Sequence, residues 1–525
     1  MPALTSPLVF ALGSALLLWL YLHMALRWTH MLQQSSYQNP SYRRWLRENR
    51  KEVTPMRRWV ALFILPFVWL LPPERAVWAV AALSLLQLWL NPSRHGKGAK
   101  KPLVFTARVK RLLFTETLLW AVLTALSLPF PAAAGWTVQA ALIVLSPWLS
   151  ALVNILNAPV EKRIAQKYID EARAIVRGIT GLKVVGITGS FGKTSTKHFL
   201  YALLSSRYHV YMTPGNFNTT LGVTRAIREG LLPTHQVFLC EMGARHEGDI
   251  REICELVAPD IGVITAIGPQ HLETFGSIET VAHTKLELYD AVRDKGFAVL
   301  NWDCDEISSH RYDGDVVRCG AREGSDYRLS HVEVSPQGSS FTITAPDGES
   351  VPFRTRLLGR ANLQDVTLAI ATAHRMGIPL DALRVPVSRL QSVPHRLELK
   401  RTGAYTLIDD AYNSNPTGAA VALETLSSFA GTRIVVTPGL VELGESERQH
   451  NLELGRKAAG CCDYAVLIGK RQAPPIREGL LDAGFPENRI TVFADVQDGL
   501  SYVSTLPGGV DRVVLLLNDL PDSYR

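Results

Sequence analysis

The sequence predicts a two-part α/β protein: a helical transmembrane module first, then a region built on parallel sheets. Three observations predict it. Apolar runs crowd the first 157 residues, the charge balance changes sign after them, and from Lys183 short β-branched segments alternate with amphipathic ones.

The 525 residues leave room for three or four domains, each with its own core. The net charge of +7 is unevenly divided. Residues 1–157 carry 16 Lys+Arg against 4 Asp+Glu, whereas residues 158–525 carry 39 against 44. The basic residues stand between apolar runs with no base-stacking pattern, which favours a lipid bilayer over nucleic acid as partner. Six cysteines form no CxxC pair, so reduced thiols are expected rather than a zinc site or a disulfide framework.

Five apolar stretches make up the first module: roughly Leu8–Leu26, Trp59–Leu71, Ala76–Leu90, Leu112–Leu128 and Trp136–Leu156. The first, fourth and fifth are long enough, or nearly so, to cross a hydrocarbon core of ~30 Å. The second and third are short and are separated by Pro72 and Pro73, which predicts a helical hairpin. The first stretch lacks a charged start and is followed by further apolar segments, so it is not a cleavable leader. Segments 27–58 and 91–111 hold the arginines and lysines, while the loops at Pro72 and at Pro129–Pro131 are almost uncharged. The positive-inside rule then puts the N-terminus outside and, after an odd number of spans, the rest of the chain in the cytoplasm. The expectation is a multi-pass protein of the cell membrane with cytoplasmic catalytic domains.

Beyond the spans, Lys183–Thr188 reads as a buried strand, Gly189–Thr194 as a turn and Ser195–Ser205 as a helix. In that context backbone N–H groups and a helix N-terminus hold phosphates. Gly189, Ser190, Gly192 and Ser195 line such a loop, Lys193 reaches the terminal phosphates of ATP, and the Thr194 hydroxyl suits Mg²⁺. Ile187 stands where the strict phosphate-loop spacing has its first glycine. Glu241 ends the strand that starts at Val237, a good place for a carboxylate that shares Mg²⁺ with Thr194.

The blocks continue in order: GITGSFGKTST, TPGNFNTTLGV, CEMGA, TAIGPQHLETFGS, VAHTKLEL, LLGRANLQDVTLAIATA, VPHRLEL, LIDDAYNSNP and TPGLVELGE. This set, over about residues 178–450, resembles the Mur ligase family. The resemblance implies an ADP-forming acid–amino-acid ligase. ATP phosphorylates a carboxylate, and an amine then displaces the phosphate. It implies a second Mg²⁺ contact at His271, a carbamylated Lys285 as a further metal ligand, and Asn362 near the adenine. It also implies a hinge arginine, Arg396, on the γ-phosphate and Asp410 on the ribose. Asn216, Asn218 and Thr219 are expected on the substrate side. Relatives usually show Asn at the place of Ala266 and His at that of Ala361. His450 matches a family position with no role that chemistry supplies.

The resemblance also frames the domains: a transmembrane module at 1–157 in place of the usual UDP-binding domain, a central ATP-binding domain at 158–393, and a smaller Rossmann-like domain at 394–525. Val393-Pro394 makes a plausible hinge, and the stretch 320–357 reads as a small antiparallel insert. The implied partners are ATP, a muropeptide-like carboxylate acceptor, with a lipid-linked form among the candidates, and an amino-acid or dipeptide amine such as D-Ala-D-Ala. A Mur-like ligase for another envelope polymer stays open, as does a membrane transporter driven by a phosphate-loop ATPase.

Overall fold

The computed structural model describes residues 5–53, 64, 67–68, 71–90, 102–127, 132–335, 337–412 and 414–519. The chain forms two compact units, residues 1–166 and 167–525.

The first unit is helical, with Thr5–Gln34, Asn39–Glu48, Pro73–Leu90, Ala107–Leu126 and the start of Ala132–Gly178 as its main helices. Leu17, Leu20 and Tyr21 pack with Val80, Trp120, Trp136 and Ile143 in its interior. The outside is also apolar: Trp78 is 76% and Trp89 77% exposed, and Phe67, Leu85 and Leu126 are bare as well.

Among the described residues, two helical segments are long and apolar enough to cross a membrane, Phe10–Gln34 and Gly135–Gly178. Most of the second expected stretch, Trp59–Leu71, lies outside the described residues. Within the third, Trp78–Gln87 forms a shorter apolar helical run. The fourth sits in a helix whose start carries Arg108, Lys110 and Arg111, with Glu116 further on.

The apolar run ends at Leu156, but its helix continues through Glu161–Gly178 on good helix formers. Ile169, Ala172 and Val176 of that extension are buried in the core of the second unit.

The second unit contains two sheets. The larger is built from β1 (Lys183–Thr188), β2 (Val210–Met212), β3 (Val237–Glu241), β4 (Ile261–Ile264), β5 (Phe297–Asn301), β6 (Val316–Gly320), β7 (Tyr327–Ser335), β8 (Gly338–Thr344) and β9 (Ser350–Thr355). Their order is β2-β3-β1-β4-β5-β6-β7-β8-β9. Pairing is parallel from β2 to β7 and antiparallel from there to β9. The expected insert at 320–357 is therefore antiparallel, and it extends the edge of the main sheet.

The buried strands follow the period of two. Val185, Ile187 and Leu239 face one apolar cluster with the helix Lys193–Leu204, whereas Val184, Phe238 and Cys240 face another with the helix Ile278–Val292. Because β1 lies between β3 and β4, the chain turns to opposite sides after it, which opens a crevice at the carboxyl ends of these strands.

The smaller sheet has β10 (Glu398–Arg401), β11 (Thr406–Asp410), β12 (Thr432–Thr437), β13 (Tyr464–Ile468), β14 (Ile490–Phe493) and β15 (Arg512–Leu517), in the order β10-β11-β15-β12-β13-β14. Only β10 runs antiparallel to its neighbour.

Leu239 is fully buried at the middle of β3, two residues before Glu241. Leu239→Ala is expected to lower the unfolding free energy by about 2–5 kcal/mol, read as a drop in the urea midpoint of the full chain.

Candidate active site

Three strand-end loops meet at β1. Gly189, at φ 153°, passes so close to Thr265 and Ala266 that a Cβ would collide with them. Ser190 fastens the loop to the one after β4: its N–H donates to the Ala266 carbonyl (2.7 Å) and its hydroxyl to the Gly268 carbonyl (3.0 Å). Gly192, at φ 81°, takes the N-cap place of the helix Lys193–Leu204, whose first N–H groups face a prospective phosphate. Ser195 is buried in its first turn.

Lys193 folds back so that Nζ donates to the Gly189 carbonyl at 2.5 Å. Burial lowers its ammonium to about 8, with Glu241 opposing and Arg396 adding to the shift. The Thr194 hydroxyl donates to Glu241 Oε2 at 3.1 Å. Burial alone would raise the Glu241 carboxyl, but Lys197 and Lys193 hold it below its ordinary value, so it is ionised. A hydroxyl beside an ionised carboxylate at the foot of a phosphate loop is a pair of hard oxygen donors that suits Mg²⁺.

The 213–219 loop is built around the same carboxylate. Lys197, fully buried, places Nζ 2.9 Å from Glu241 Oε2 and donates to the carbonyls of Thr213 (2.9 Å) and Gly215 (2.8 Å). Asn218 Nδ2 donates to Glu241 Oε1 at 2.9 Å. Asn216 Nδ2 instead reaches the Tyr412 hydroxyl, 3.0 Å away on the smaller sheet's side. Thr219 is the N-cap of the helix Thr220–Gly230, its Oγ1 accepting from the Gly222 N–H.

His271 follows β4 with φ 51°, and its Nδ1 lies 2.5 Å from Glu442 Oε2. Burial lowers the imidazole pKa despite Glu442, whose own carboxyl is lowered by His271 and Arg245 against its burial. In the Nδ1···Oε2 contact the carboxylate oxygen is the acceptor, so Nδ1–H donates and Nε2 is the ring nitrogen left to face the site. Lys285 is fully buried on the helix Ile278–Val292. Burial, with Lys193 adding, lowers its amine to about 7.

From the smaller sheet, the Arg396 guanidinium stacks 4.4 Å above the Tyr412 ring. Asp410 accepts from the Leu397 N–H at 3.2 Å, and burial raises its carboxyl to about 7 against the pull of Arg396. Asn415 Nδ2 donates across to the Ser190 carbonyl at 3.4 Å, and Asn413 lies outside the described residues. Asn362 is buried, and its Nδ2 donates to the Leu358 carbonyl (2.8 Å) one turn earlier in its own segment. His450 lies 3.7 Å from Glu453 on its own helix. His395, Glu398 and Asp409 cluster tightly, but Lys400 already sits 2.9 and 2.7 Å from the two carboxylates.

Four residues at the site have no sequence signature of their own. Lys197 is detectable only as a charge on the buried face of its helix, one turn after Lys193. Asp365 is packed beneath Gly192, and burial holds its carboxyl well above the usual range. Asn518 spans two loops, accepting from the Ser414 N–H (3.0 Å) and donating to the Gly439 carbonyl (2.7 Å). Glu442 is 171 positions from its partner.

A family model described as the Mur ligase middle domain matches residues 187–373, and one described as the Mur ligase glutamate ligase domain matches 395–517. The UDP-N-acetylmuramoyl-tripeptide–D-alanyl-D-alanine ligase of Bacillus subtilis is 30% identical over 346 residues, covering 65% of this chain and 72% of that protein. The crystal structure of MurF from Acinetobacter baumannii is 27% identical with a TM-score of 0.61, over 69% of this chain and 78% of that one. MurF ligase from Thermotoga maritima in complex with ADP is 26% identical with a TM-score of 0.60, over 68% and 80%.

Removing one partner of a buried ion pair leaves the other charge without compensation. Lys197→Met is expected to destabilise the second unit by about 3–5 kcal/mol, measured by urea unfolding. The same substitution should let Glu241 take up a proton at a higher pH than in the parent chain.

Proposed function

The chain is a member of the Mur ligase family, an ATP-dependent, ADP-forming ligase, and on that basis we propose that it joins D-alanyl-D-alanine to the free carboxylate of a cell-wall muropeptide at the cytoplasmic face of a membrane. The observation that carries the reading is the meeting of Lys193, Thr194 and Glu241 at one sheet edge with Arg396 and Asp410 from the other sheet coupled to them. The dipeptide is taken from the relatives, which are UDP-N-acetylmuramoyl-tripeptide–D-alanyl-D-alanine ligases.

The chemistry begins with a charge problem. The acceptor carboxylate must approach a triphosphate, so like charges have to be neutralised first. The loop N–H groups and Lys193 take the phosphate oxygens, and Arg396 offers a planar fork to the group in transfer. Thr194, Glu241, His271 and Lys285 would hold Mg²⁺, which when bound supplies Lewis-acid neutralisation of phosphate charge. The acceptor oxygen attacks the γ-phosphorus, the bond to ADP breaks, and an acyl phosphate forms. The amine nitrogen then attacks the carbonyl carbon, inorganic phosphate leaves, and the nitrogen gives up a proton. Asp410 holds the ribose. Asn216, beside Tyr412, faces the substrate side, while Asn218 and Thr219 keep that loop in shape. Closing the smaller sheet's lobe over this centre keeps water from the acyl phosphate.

Lys285 suits carbamylation because modification needs a neutral amine. Its nitrogen bonds to the carbon of CO₂ and loses a proton, which converts a cation into a carboxylate-like ligand. As pH falls below about 7 the amine protonates and the modification is lost. Turnover is therefore expected to drop in CO₂-depleted buffer, to recover with bicarbonate, and to need more bicarbonate on the acid side. A rate–pH series with and without bicarbonate reads this directly, and a flat response would remove the carbamate.

The membrane assignment draws support from the two apolar segments Phe10–Gln34 and Gly135–Gly178 and from the bare indoles of Trp78 and Trp89. The first unit lies ahead of the family matches, which begin at residue 187. On this reading the acceptor is lipid-linked. Purified full chain given ATP, D-Ala-D-Ala and either a UDP-linked or a lipid-linked muropeptide is expected to release ADP with the lipid-linked form. Turnover with the UDP-linked form alone would remove the lipid, and none with either would remove the ligase reading. Lys193→Ala or Arg396→Ala should each cut turnover by ~10²-fold or more without loss of membrane association.

A further inference from the structure

Glu442 belongs to the loop after β12, in the smaller sheet's lobe, yet its carboxylate points at two groups of the larger lobe. Oε2 meets His271 Nδ1 at 2.5 Å, and Oε1 lies 3.7 Å from Arg245 Nη2. Both bonded residues are held in left-handed backbone, His271 at φ 51° and Glu442 at φ 64°. Residues other than glycine hold that conformation only where surrounding contacts enforce it. Two residues further on, Gly444 brings the loop against the backbone of Leu272 and Glu273. The contact is thus built from both sides.

An imidazole has two nitrogens, and a carboxylate that takes the proton of one dictates that the other carries the lone pair. Carboxylate–histidine pairs of this kind orient metal-binding rings and sharpen their affinity. Here the orienting carboxylate comes from a different lobe. Two other side-chain bonds between the lobes, Asn216 to Tyr412 and Asn415 to Ser190, end on the substrate loop and the phosphate loop. The Glu442 bond alone among these three ends on a residue assigned to metal.

We propose that Glu442 is a positioning residue that fixes the tautomer and orientation of His271 from the opposite lobe, so that the divalent-cation site is complete only when the lobes are closed. The inference rests on the ligase reading and adds to it a coupling between closure and metal affinity. Arg245 holds the second carboxylate oxygen, which keeps Oε2 turned to the ring.

The test uses the purified full chain with ADP and Mn²⁺ as the probe, followed by electron paramagnetic resonance. Glu442→Ala is expected to weaken Mn²⁺ binding by roughly 10-fold or more and to raise by a similar factor the Mg²⁺ needed for half-maximal velocity. Glu442→Gln, whose Oε1 can still accept from Nδ1–H, should recover most of the affinity. In a His271→Ala background, Glu442→Ala should add nothing further. Unchanged Mn²⁺ affinity in Glu442→Ala overturns the proposal, as does an equal loss in the two Glu442 variants or an additive loss in the double variant. Any of these with normal parental turnover sinks this inference alone. A parental chain that forms no amide at all would instead sink the ligase reading.

Discussion

A carboxylate kept ionised where water does not reach governs this site. Taking a charge out of water costs several kcal/mol even after relaxation, so Glu241 exists as an anion only because partners surround it. Lys197 supplies the compensating charge and Thr194 a hydrogen bond, both from the helix Lys193–Leu204, and Asn218 supplies a second hydrogen bond from the 213–219 loop. The phosphate-loop helix, the end of β3 and the 213–219 loop are therefore tied at one atom group. The polar knot is also a positional device: moving any of the three segments breaks a bond that the interior cannot replace.

Around that anion the fold gathers more positive charge than it neutralises. Lys193 and Lys285 lie low on their own scales because burial penalises their charge, with Arg396 adding to the shift of Lys193 and Lys193 to that of Lys285. Such an arrangement is poorly stabilised alone and well stabilised by polyanions. Triphosphate, an acceptor carboxylate and a carbamate on Lys285 all move it the same way. The smaller lobe contributes Arg396 and the raised carboxyl of Asp410, so charge balance and lobe closure are one event.

How much of this is legible in the chain depends on the distance over which each feature is encoded. The strand, loop and helix from Lys183 to Leu204 are local: a β-branched run, two glycines at positive φ and a Lys-Thr start are contiguous. Glu241 is legible too, since four buried residues precede it on one strand. Lys197 is hidden because a lysine at helical spacing ordinarily reads as a solvated face, and only tertiary packing turns it inward. Glu442 and Asn518 act through partners 171 and 104 or 79 positions away, which periodicity does not encode. Thr219 marks the opposite difficulty. Its place beside two asparagines points to substrate, whereas its hydroxyl caps a helix, a job that threonine does wherever a helix begins.

The first unit follows a different physical logic. In water, its bare tryptophans and leucines would expose apolar surface that soluble chains bury; against lipid tails the same surface carries no such penalty. The apolar run from Leu112 starts inside a helix with three basic residues near its beginning, so the helix that carries it is less apolar than the run alone. Length and charge within the helix set whether it crosses, and both are helix properties that a run of letters does not report. On the proposed function, a ligase held at a bilayer would meet a bilayer-bound acceptor at far higher effective concentration than in solution. Tethering would then replace part of the affinity that a soluble enzyme draws from gripping a nucleotide handle.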